Sequence, residues 1–342
     1  MRAWFYTRYG GPAVLQTGEQ PDAALQSTYD VVIKVHAASL NPIDYKRRQG
    51  ALKVILDKHW PHVVGYDVSG VVVECGAEVM RFQVGDEVFG MLPHNRNGAL
   101  AELASVHEDY LAKKPANLTH VQAASLPLVS LTALLSFRAG HLEEGKRVLV
   151  TGGAGGVGSI AIQIAKAVFK AQTVATTAST RKVERMKSLG ADEVIDYTRE
   201  AFERELAEYD FALDCTGESV KCFECVTKNG SVVSISETPS ADELRGLESK
   251  GVQVSRFIGF VLNCLSHSVA KKARQVQIHY KYFFVVGNGA VLDEIRTLCE
   301  QHVVSPVIDK VYPFEKADTA MEYLEAGHAM GKVVVEMIPG AV

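Results

Sequence analysis

The chain has 342 residues, of which 47% are hydrophobic and 22% are charged. That length is enough for about two domains with substantial cores, and the composition is ordinary for a globular protein. The net charge of −4, in a sequence with no basic stripe or arginine cluster, argues against nucleic acid as a main partner.

Residues 1–125 contain short β-branched runs separated by Gly and Pro, which predicts a β-rich region. The first strand is predicted at the N-terminus itself, and 31–35, 68–73 and 86–90 are further examples. We find no signal-peptide core or transit segment there, so we expect a cytoplasmic protein. The most apolar later segment, 257–265, is too short to cross a bilayer, so no membrane span is expected.

The pattern changes at about residue 126 to alternating strands and helices. Strands are predicted at 147–151, 172–176, 193–196, 211–215 and 231–235, and a helical segment follows each of the first four. Such alternation is typical of a parallel, doubly wound sheet. After residue 305 the pattern predicts a strand, a helix near 315–326 and a last strand at 332–336 that could complete the N-terminal domain.

The stretch between the predicted strand at 147–151 and the helix after it is rich in glycine. Gly153, Gly155 and Gly158 satisfy G-x-G-x-x-G. These glycines permit a tight turn, close approach of a pyrophosphate and close helix–strand packing, and the phosphates then lie at the helix N-terminus. The sequence therefore predicts a dinucleotide site at this turn, formed by Gly152, Gly153, Ala154, Gly155, Gly156, Val157 and Gly158.

The end of the second strand of this region suggests which dinucleotide binds. An NAD site usually carries a carboxylate about 20 residues past the turn, whereas here the segment holds Ser179, Thr180, Arg181 and Lys182. Hydroxyls and cations suit the 2′-phosphate of NADP(H). The alternative is that Ser179 or Thr180 only caps the next helix while the two cations are solvated.

Six cysteines are scattered along the chain. Only Cys222 and Cys225 form a C-x-x-C pair, in a predicted helix and without a second pair, so this is not the pattern of a zinc site. Reduced thiols of a cytosolic protein are expected.

The whole chain resembles the medium-chain dehydrogenase/reductase superfamily, and within it the zinc-free quinone and alkenal/enone oxidoreductases. The stretches that carry the resemblance, besides the glycine turn, are 38–50, 64–73, 84–88, 126–133, 189–197 and 327–335. The resemblance implies an α/β fold with two domains and an active site in the cleft between them. A GroES-like β-rich catalytic domain is expected at 1–125 and 306–342, and a doubly wound, parallel Rossmann domain at 126–305.

Departures from the superfamily's zinc enzymes suggest that no metal is bound. Those enzymes place a cysteine ligand where this chain has Asn41, and Gly-His-Glu where it has Gly65-Tyr66-Asp67. Catalytic zinc needs three protein ligands and an open position. His59, His62 and His94 could in principle form another metal site, but solvated or cleft-lining histidines are the preferred interpretation.

Without zinc, reduction of an electron-poor acceptor is favoured over alcohol oxidation, because the acceptor oxygen then needs only a hydrogen-bond donor or a proton. Lys46 is the first candidate donor or ribose contact, with Tyr45 beside it. The alternative is a solvated basic face formed by Lys46, Arg47 and Arg48. Asn41 is predicted to orient substrate or nicotinamide, and Tyr66 to line the pocket or pack in the core.

Further cofactor contacts are implied by the resemblance alone. They are Thr132, Phe284 and Val285 at the nicotinamide, Tyr197 at the 2′-phosphate or adenine end, Thr216 and Gly217 at the adenosine, and Lys332 near the cleft. Relatives pair the edges of their Rossmann sheets, and 279–286 looks like such an edge, so a homodimer is expected.

The sequence thus predicts an NADPH-dependent, zinc-independent reductase of small-molecule quinones or α,β-unsaturated carbonyls. Two alternatives stay open: an enoyl-thioester reductase, and an NADPH-binding regulatory or structural protein with little turnover.

Overall fold

The computed structural model describes residues 1–56 and 59–338. Within this part of the chain there are sixteen strands and eleven α-helices. The strands are β1 (Arg2–Tyr6), β2 (Gln16–Glu19), β3 (Asp30–Leu40), β4 (His62–Val63), β5 (Asp67–Cys75), β6 (Glu87–Met91), β7 (Leu103–His107), β8 (Leu111–Lys113), β9 (Arg147–Val150), β10 (Thr173–Ala178), β11 (Glu193–Asp196), β12 (Tyr209–Asp214), β13 (Val226–Ser234), β14 (His279–Tyr282), β15 (Ile308–Pro313) and β16 (Lys332–Glu336). The helices are α1 (Pro42–Arg48), α2 (His120–Ala124), α3 (Pro127–Ala139), α4 (Gly156–Ala167), α5 (Val183–Ser188), α6 (Phe202–Glu205), α7 (Ser219–Cys225), α8 (Ala241–Leu244), α9 (Arg256–Gln275), α10 (Gly289–Glu300) and α11 (Ala317–Glu325).

The chain folds as two compact units. The first contains Met1–Leu131, Leu247–Gln253 and Val286–Val342, and the second contains Thr132–Gly246 and Val254–Val285. Residues 339–342, at the end of the predicted catalytic domain, lie outside the described residues.

The first unit is built on sheets that are antiparallel except for the parallel pair of β15 and β16. Its larger sheet has the order β15-β16-β3-β5-β6-β8, with β7 also paired to β3. The long strand β3 is apolar and almost entirely buried, and it pairs with β7 through its first half and with β16 through its second. As expected, the last strand, β16, therefore completes the sheet formed by the N-terminal strands. Side chains from early and late in the chain, such as Ile33, Val88 and Val335, pack together in one hydrophobic core.

The second unit is a parallel sheet with the order β11-β10-β9-β12-β13-β14. All five neighbour pairs are parallel, and the chain moves outward from β9 first to β10 and β11 and then to β12, β13 and β14. Helices separate successive strands along the chain, so the predicted doubly wound fold is confirmed. Strands β9, β10 and β12 are buried along nearly their whole length, as strands covered on both faces should be.

The limits of the two units differ from the predicted domain limits at 125/126 and 305/306, because residues 126–131, 247–253 and 286–305 join the first unit. The contacts explain the difference for the last of these segments. A Cβ on Gly289, at the start of α10, would lie 2.2 Å from the carbonyl oxygen of Leu111. Asn117 Nδ2 donates to the Cys299 carbonyl at 2.9 Å, and Arg81 pairs with Asp293 at 2.8 Å.

Strand β14 ends the parallel sheet, and it is shorter than the predicted 279–286. Its outer edge has no further strand in the part of the chain described, so a homodimer through this edge stays a prediction. None of the described helices has the length and apolar character needed to cross a membrane.

Candidate active site

Most of the residues predicted to hold a dinucleotide follow strands of the parallel sheet at one of its edges. The glycine turn follows β9, Ser179 follows β10, Tyr197 follows β11, and Thr216 follows β12. Since these four strands are parallel neighbours, their carboxyl ends meet at the same edge, which is where ligands bind in open α/β sheets.

The glycine turn leaves no room for side chains at two of its positions. A Cβ on Gly153 would lie 2.1 Å from Thr176 Oγ1, and one on Gly158 would lie 2.4 Å from the carbonyl oxygen of Gly152. Gly152 itself has a φ of 65°, in the left-handed region that favours glycine. Two N–H groups of the turn bond to Thr177, from Gly152 to its Oγ1 and from Gly153 to its carbonyl oxygen.

The turn leads directly into the N-terminus of α4, which begins at Gly156. The N-cap residue is Gly155, which has no side chain to cap the helix, and the first N–H groups of an α-helix have no intrahelical partner. Ala154, Gly156, Val157 and Gly158 surround this end. Such a terminus, with the positive end of the helix dipole, fits a pyrophosphate.

Sequence reasoning missed a buried carboxylate that shapes the loop after β12. Asp214 Oδ1 accepts hydrogen bonds from the backbone N–H groups of Thr216, Gly217 and Glu218 at 2.9–3.0 Å. Thr216 Oγ1 also donates to Thr151 Oγ1 at 2.9 Å, which ties this loop to the end of β9. The available signal was an acidic residue at the end of β12, two positions before Thr216.

A second missed carboxylate lies beside the predicted 2′-phosphate site. Residues Ala178 and Asp196 are register partners in β10 and β11, and Thr180 Oγ1 donates to Asp196 Oδ2. The hydrogen bond from Thr180, followed by that from Thr198, lowers the pKa of the Asp196 carboxyl. The segment after β10 holds no carboxylate of its own, as the sequence indicated, but the next strand supplies one.

The capping part of the alternative for this segment is wrong, whereas its solvated cations agree with the exposure of Arg181. Ser179 makes no side-chain capping bond to the 3-10 helix Thr180–Lys182, and Thr180 bonds to Asp196 instead. Arg181 is exposed and Lys182 is half-buried, while Tyr197 is 60% exposed. All are thus at the surface, where a bound phosphate can be reached.

The remaining second-unit residues implied by resemblance are less informative. Thr132 is buried in α3, and Phe284 and Val285 are half-buried just after β14. Their predicted contacts with nicotinamide stay predictions.

In the first unit, a buried ammonium group holds the residues next to α1. Lys332 is 3% exposed, and its Nζ donates to the Leu40 carbonyl oxygen at 3.0 Å, to Asn41 Oδ1, and to Asp67 Oδ2 at 3.1 Å. These three bonds use all the hydrogens of an ammonium group. The Lys332 ammonium group therefore has no hydrogen left to donate to the cofactor, which the predicted contact would require. Lys332 is a positioning residue in this structure.

The carboxylate of Asp67, which pairs with Lys332, accepts hydrogen bonds at both of its oxygen atoms. Asp67 is fully buried, and its Oδ2 also accepts hydrogen bonds from Ser39 Oγ and Asn41 Nδ2, both at 2.8 Å. Its Oδ1 accepts from the Leu128 N–H at 2.7 Å. A buried ion pair with this many hydrogen bonds can offset its desolvation.

Asn41 is the N-cap residue of α1 and is itself 1% exposed. Its backbone N–H donates to Asp44 Oδ2 at 2.7 Å, and the Gly65 N–H donates to Asp44 Oδ1 at 3.1 Å. Burial raises the pKa of the Asp44 carboxyl to about 7, so this group changes protonation near neutral pH. Asn41 and Asp44 fix the start of α1 against the loop that carries Tyr66.

The predicted alternative of one solvated basic face is wrong for two of its three members. Arg47 is 4% exposed and donates to Tyr66 Oη at 2.7 Å, and Arg48 is fully buried and pairs with Glu325 at 2.6 Å. Lys46 alone is exposed, and its role as a donor stays a prediction.

The two tyrosines predicted for the catalytic set differ in exposure. Tyr66 is buried, which raises the pKa of its hydroxyl to about 12, so it keeps its proton at neutral pH. Tyr45 is half-buried and packs against the core of the first unit.

The three histidines considered as metal ligands do not assemble a metal site. His62 Nδ1 lies 2.7 Å from His59 Nε2, and burial holds the pKa of His62 well below its usual range. His94 is fully buried and packs edge-on against the Tyr66 ring at 4.9 Å, so His62 and His94 are not solvated. Across residues 1–56 and 59–338, no group of three or more His, Cys, Asp or Glu side chains is arranged to hold a metal ion.

Comparison with known proteins agrees with this architecture. A family model described as "Alcohol dehydrogenase GroES-like domain" matches residues 27–116, and one described as "Zinc-binding dehydrogenase" matches residues 189–335.

Individual relatives match along nearly the whole chain. The 2-methylene-furan-3-one reductase of Solanum lycopersicum is 39% identical over 99% of this chain and 80% of its own length. The NADPH-dependent alkenal/one oxidoreductase, chloroplastic, of Arabidopsis thaliana is 38% identical over the same shares. The solved structure of the quinone oxidoreductase from Coxiella burnetii superposes with a TM-score of 0.84 at 31% identity, covering 99% of both chains.

Proposed function

This chain belongs to the medium-chain dehydrogenase/reductase superfamily and is an oxidoreductase, and from that premise we propose that it reduces quinones or α,β-unsaturated carbonyls with NADPH and without zinc. Two observations support the proposal. In the second unit, the glycine turn leads into the uncapped N-terminus of α4. In the first unit, Asn41 is bonded to Lys332 at the position where, by the resemblance, zinc enzymes carry a cysteine ligand. Relatives named as enone and alkenal reductases support the acceptor class.

The residues of the second unit fit NADPH. The cradle at Gly153, Gly155 and Gly158, with the uncapped helix terminus behind it, would hold the pyrophosphate, and Arg181 would hold the 2′-phosphate. When bound, NADPH supplies the hydride that the reaction consumes.

The candidate site residues of the first unit have two kinds of proposed role: some position α1, and one is a candidate donor to the substrate. Lys332, Asp67 and Asn41 are buried and bonded to one another, so we assign them to positioning α1 rather than to contact with substrate. Lys46, exposed on the same helix, remains the side chain proposed to donate a hydrogen bond or proton to the acceptor oxygen. Tyr66, protonated and held by Arg47, is the second group proposed at this site.

A panel of acceptors tests the reaction. We expect NADPH to be consumed with a quinone or a conjugated enone, and not with a saturated aldehyde, which lacks an activated double bond. The measurement is the loss of NADPH absorbance with each acceptor. Tight NADPH binding without turnover on any acceptor would instead favour a regulatory protein, and preferred turnover of an enoyl thioester would favour that class of reductase.

The choice of cofactor can be tested at the end of β10. NADPH should bind more tightly than NADH, and Arg181→Ala should weaken NADPH, but not NADH, by about 1–3 kcal/mol, or about 5- to 150-fold, for a lost charge-assisted contact. The measurement is the dissociation constant of each cofactor by fluorescence titration.

Arg185→Ala is the matched control, because Arg185 is also exposed but lies in α5, beyond the segment proposed to meet the phosphate. It should leave both constants unchanged. Equal affinities of the unmodified protein for NADPH and NADH would contradict the proposed selectivity, and would point to Asp196 as a competing ribose-binding carboxylate.

Zinc independence has its own test. Asn41 stands where zinc enzymes carry a cysteine ligand, and here its side-chain oxygen accepts a hydrogen bond from the Lys332 ammonium. We therefore expect no stoichiometric zinc in the purified protein by elemental analysis, and no loss of NADPH oxidation after treatment with a chelator. One zinc ion per chain, removed together with activity, would refute this.

A further inference from the structure

The long helix α9 presents an apolar face to solvent. Phe257, Phe260, Val261 and Leu265 are 73%, 68%, 36% and 60% exposed, and Cys264 between them is also exposed. Their spacing of three or four residues places them on one side of the helix. The opposite side is the one that packs on the second unit, and it consists of Gly259, Leu262, Ser266 and Ala273.

The charged side chains of the same helix are all cationic, and three of the four lie in its last turn and a half. It carries Arg256, Lys271, Lys272 and Arg274 and contains no Asp or Glu, although the chain as a whole has a net charge of −4. Lys271 is exposed and lies about four turns beyond Phe257, so it continues the apolar face. The exposed side of α9 is therefore apolar in its first half and basic in its second.

Acidic side chains near α9 do not cancel this charge. Lys272 is half-buried and pairs with Glu224 at 3.8 Å, which takes up one of the four cations. On the neighbouring α8, Asp242 pairs with Arg245 at 3.1 Å, and Glu243 accepts hydrogen bonds from the capping Ser240 and from the Tyr282 N–H.

We propose that this face of α9 docks onto an anionic lipid surface, with the helix lying in the plane of the membrane. The apolar side chains would enter the boundary between headgroups and acyl chains, while Lys271 and Arg274 would meet the negatively charged headgroups. This arrangement does not require a membrane-crossing helix, and none of the described helices qualifies as one.

A lipid surface fits the face better than a second copy does. The apolar stripe from Phe257 to Leu265 is only about 12 Å long, whereas a stable dimer buries about 800 Å² on each partner. A second copy would also bring the same cations and no compensating carboxylate from its own α9. The inference stands apart from the proposed reductase activity, because docking needs neither NADPH nor an acceptor.

Co-sedimentation of the full chain with vesicles tests the proposal. We expect binding to phosphatidylcholine vesicles that contain phosphatidylserine and much weaker binding to phosphatidylcholine alone. Raising the salt concentration to about 1 M, where charges are screened within about 3 Å, should release the protein. Phe257→Ser/Phe260→Ser should weaken binding at least about tenfold. Lys271→Gln/Arg274→Gln should abolish the preference for phosphatidylserine.

Matched controls use residues of the same kind elsewhere on the surface. Met80→Ser/Val84→Ser removes two apolar side chains that are 88% and 64% exposed, and Lys34→Gln/Lys316→Gln removes two exposed cations. Neither should change vesicle binding, and thermal unfolding of every variant checks that it folds.

A second readout places the contact on α9 without any substitution. Of the six cysteines, all within the described residues, only Cys264 is exposed, whereas Cys75 and Cys215 are half-buried and the other three are buried, so a limiting amount of a polarity-sensitive fluorophore should label Cys264 first. A blue shift on phosphatidylserine vesicles supports docking through this face. An unchanged emission, or no sedimentation of the unmodified protein, overturns the proposal. So does a dimer that Phe257→Ser/Phe260→Ser converts to a monomer while vesicle binding is absent, since a second copy would then cover the face.

Discussion

Lys332→Met is expected to destabilise the first unit by about 3–5 kcal/mol, because it leaves the fully buried Asp67 carboxylate without its counter-charge. The loss also removes the donor that holds Asn41 Oδ1 and the Leu40 carbonyl oxygen, so the start of α1 loses its anchor. Thermal unfolding followed by circular dichroism should show a midpoint lowered by roughly 6–20 °C.

Two further variants separate the ion pair from simple packing. Asp67→Asn alone leaves the ammonium buried and should also destabilise the protein, whereas Lys332→Met/Asp67→Asn removes both charges and should be more stable than the sum of the single changes predicts. Lys316→Met, at an exposed lysine, is the control and should leave the midpoint unchanged. If Lys332→Met unfolds at the same temperature as the unmodified protein, the ammonium does not hold this site.

The cofactor cradle could be predicted from the sequence because everything that defines it is local. The apolar strand, the spacing of Gly153, Gly155 and Gly158, and the helix after them lie within twenty-one residues, 147–167, and the structure reproduces that order. Short-range backbone constraints on glycine do not depend on the rest of the chain.

The Lys332–Asp67 pair could not be found in the same way. The two residues are 265 positions apart, and they meet only because β16 pairs with β3 and β3 with β5. The resemblance implied only that Lys332 lies near the cleft, and lysine is rarely buried without a partner, so nothing local pointed to Asp67 as that partner. The alternative that Arg48 is solvated was wrong for the same reason: its ion-pair partner, Glu325, lies in α11, far along the chain.

Strand register explains why the carboxylate near the 2′-phosphate site escaped prediction. The segment after β10 contains none, but Asp196 at the end of β11 lies opposite Ala178. Which residue of one parallel strand faces which of the next is set by the crossover between them, and the sequence gives no direct measure of it. Under the proposed cofactor choice, we therefore expect Arg181 to favour NADPH and Asp196 to favour NADH at this edge.

Gly158→Val is expected to weaken NADPH binding by at least about 100-fold. A Cβ at this position would lie 2.4 Å from the Gly152 carbonyl oxygen and 2.6 Å from Gly153 Cα, and both are backbone atoms that cannot move aside without shifting the turn. Displacement of the turn misaligns several N–H donors, and two lost charge-assisted bonds already exceed the 2.7 kcal/mol that corresponds to 100-fold. Fluorescence titration with NADPH measures the effect.

Gly155→Ala distinguishes loss of the cradle from loss of the fold. Gly155 has an ordinary φ of −78°, and a Cβ there would lie 3.4 Å from its nearest neighbour, so the turn can keep its shape. The added methyl group nevertheless lies at the N-cap of α4, where the pyrophosphate must approach the backbone. We therefore expect Gly155→Ala to retain the unfolding midpoint and still weaken NADPH binding, while Gly11→Ala, whose Cβ would meet nothing within 4 Å, changes neither. If both Gly155→Ala and Gly158→Val bind NADPH as tightly as the unmodified protein, the cofactor does not bind at this turn, whatever the stability of the variants.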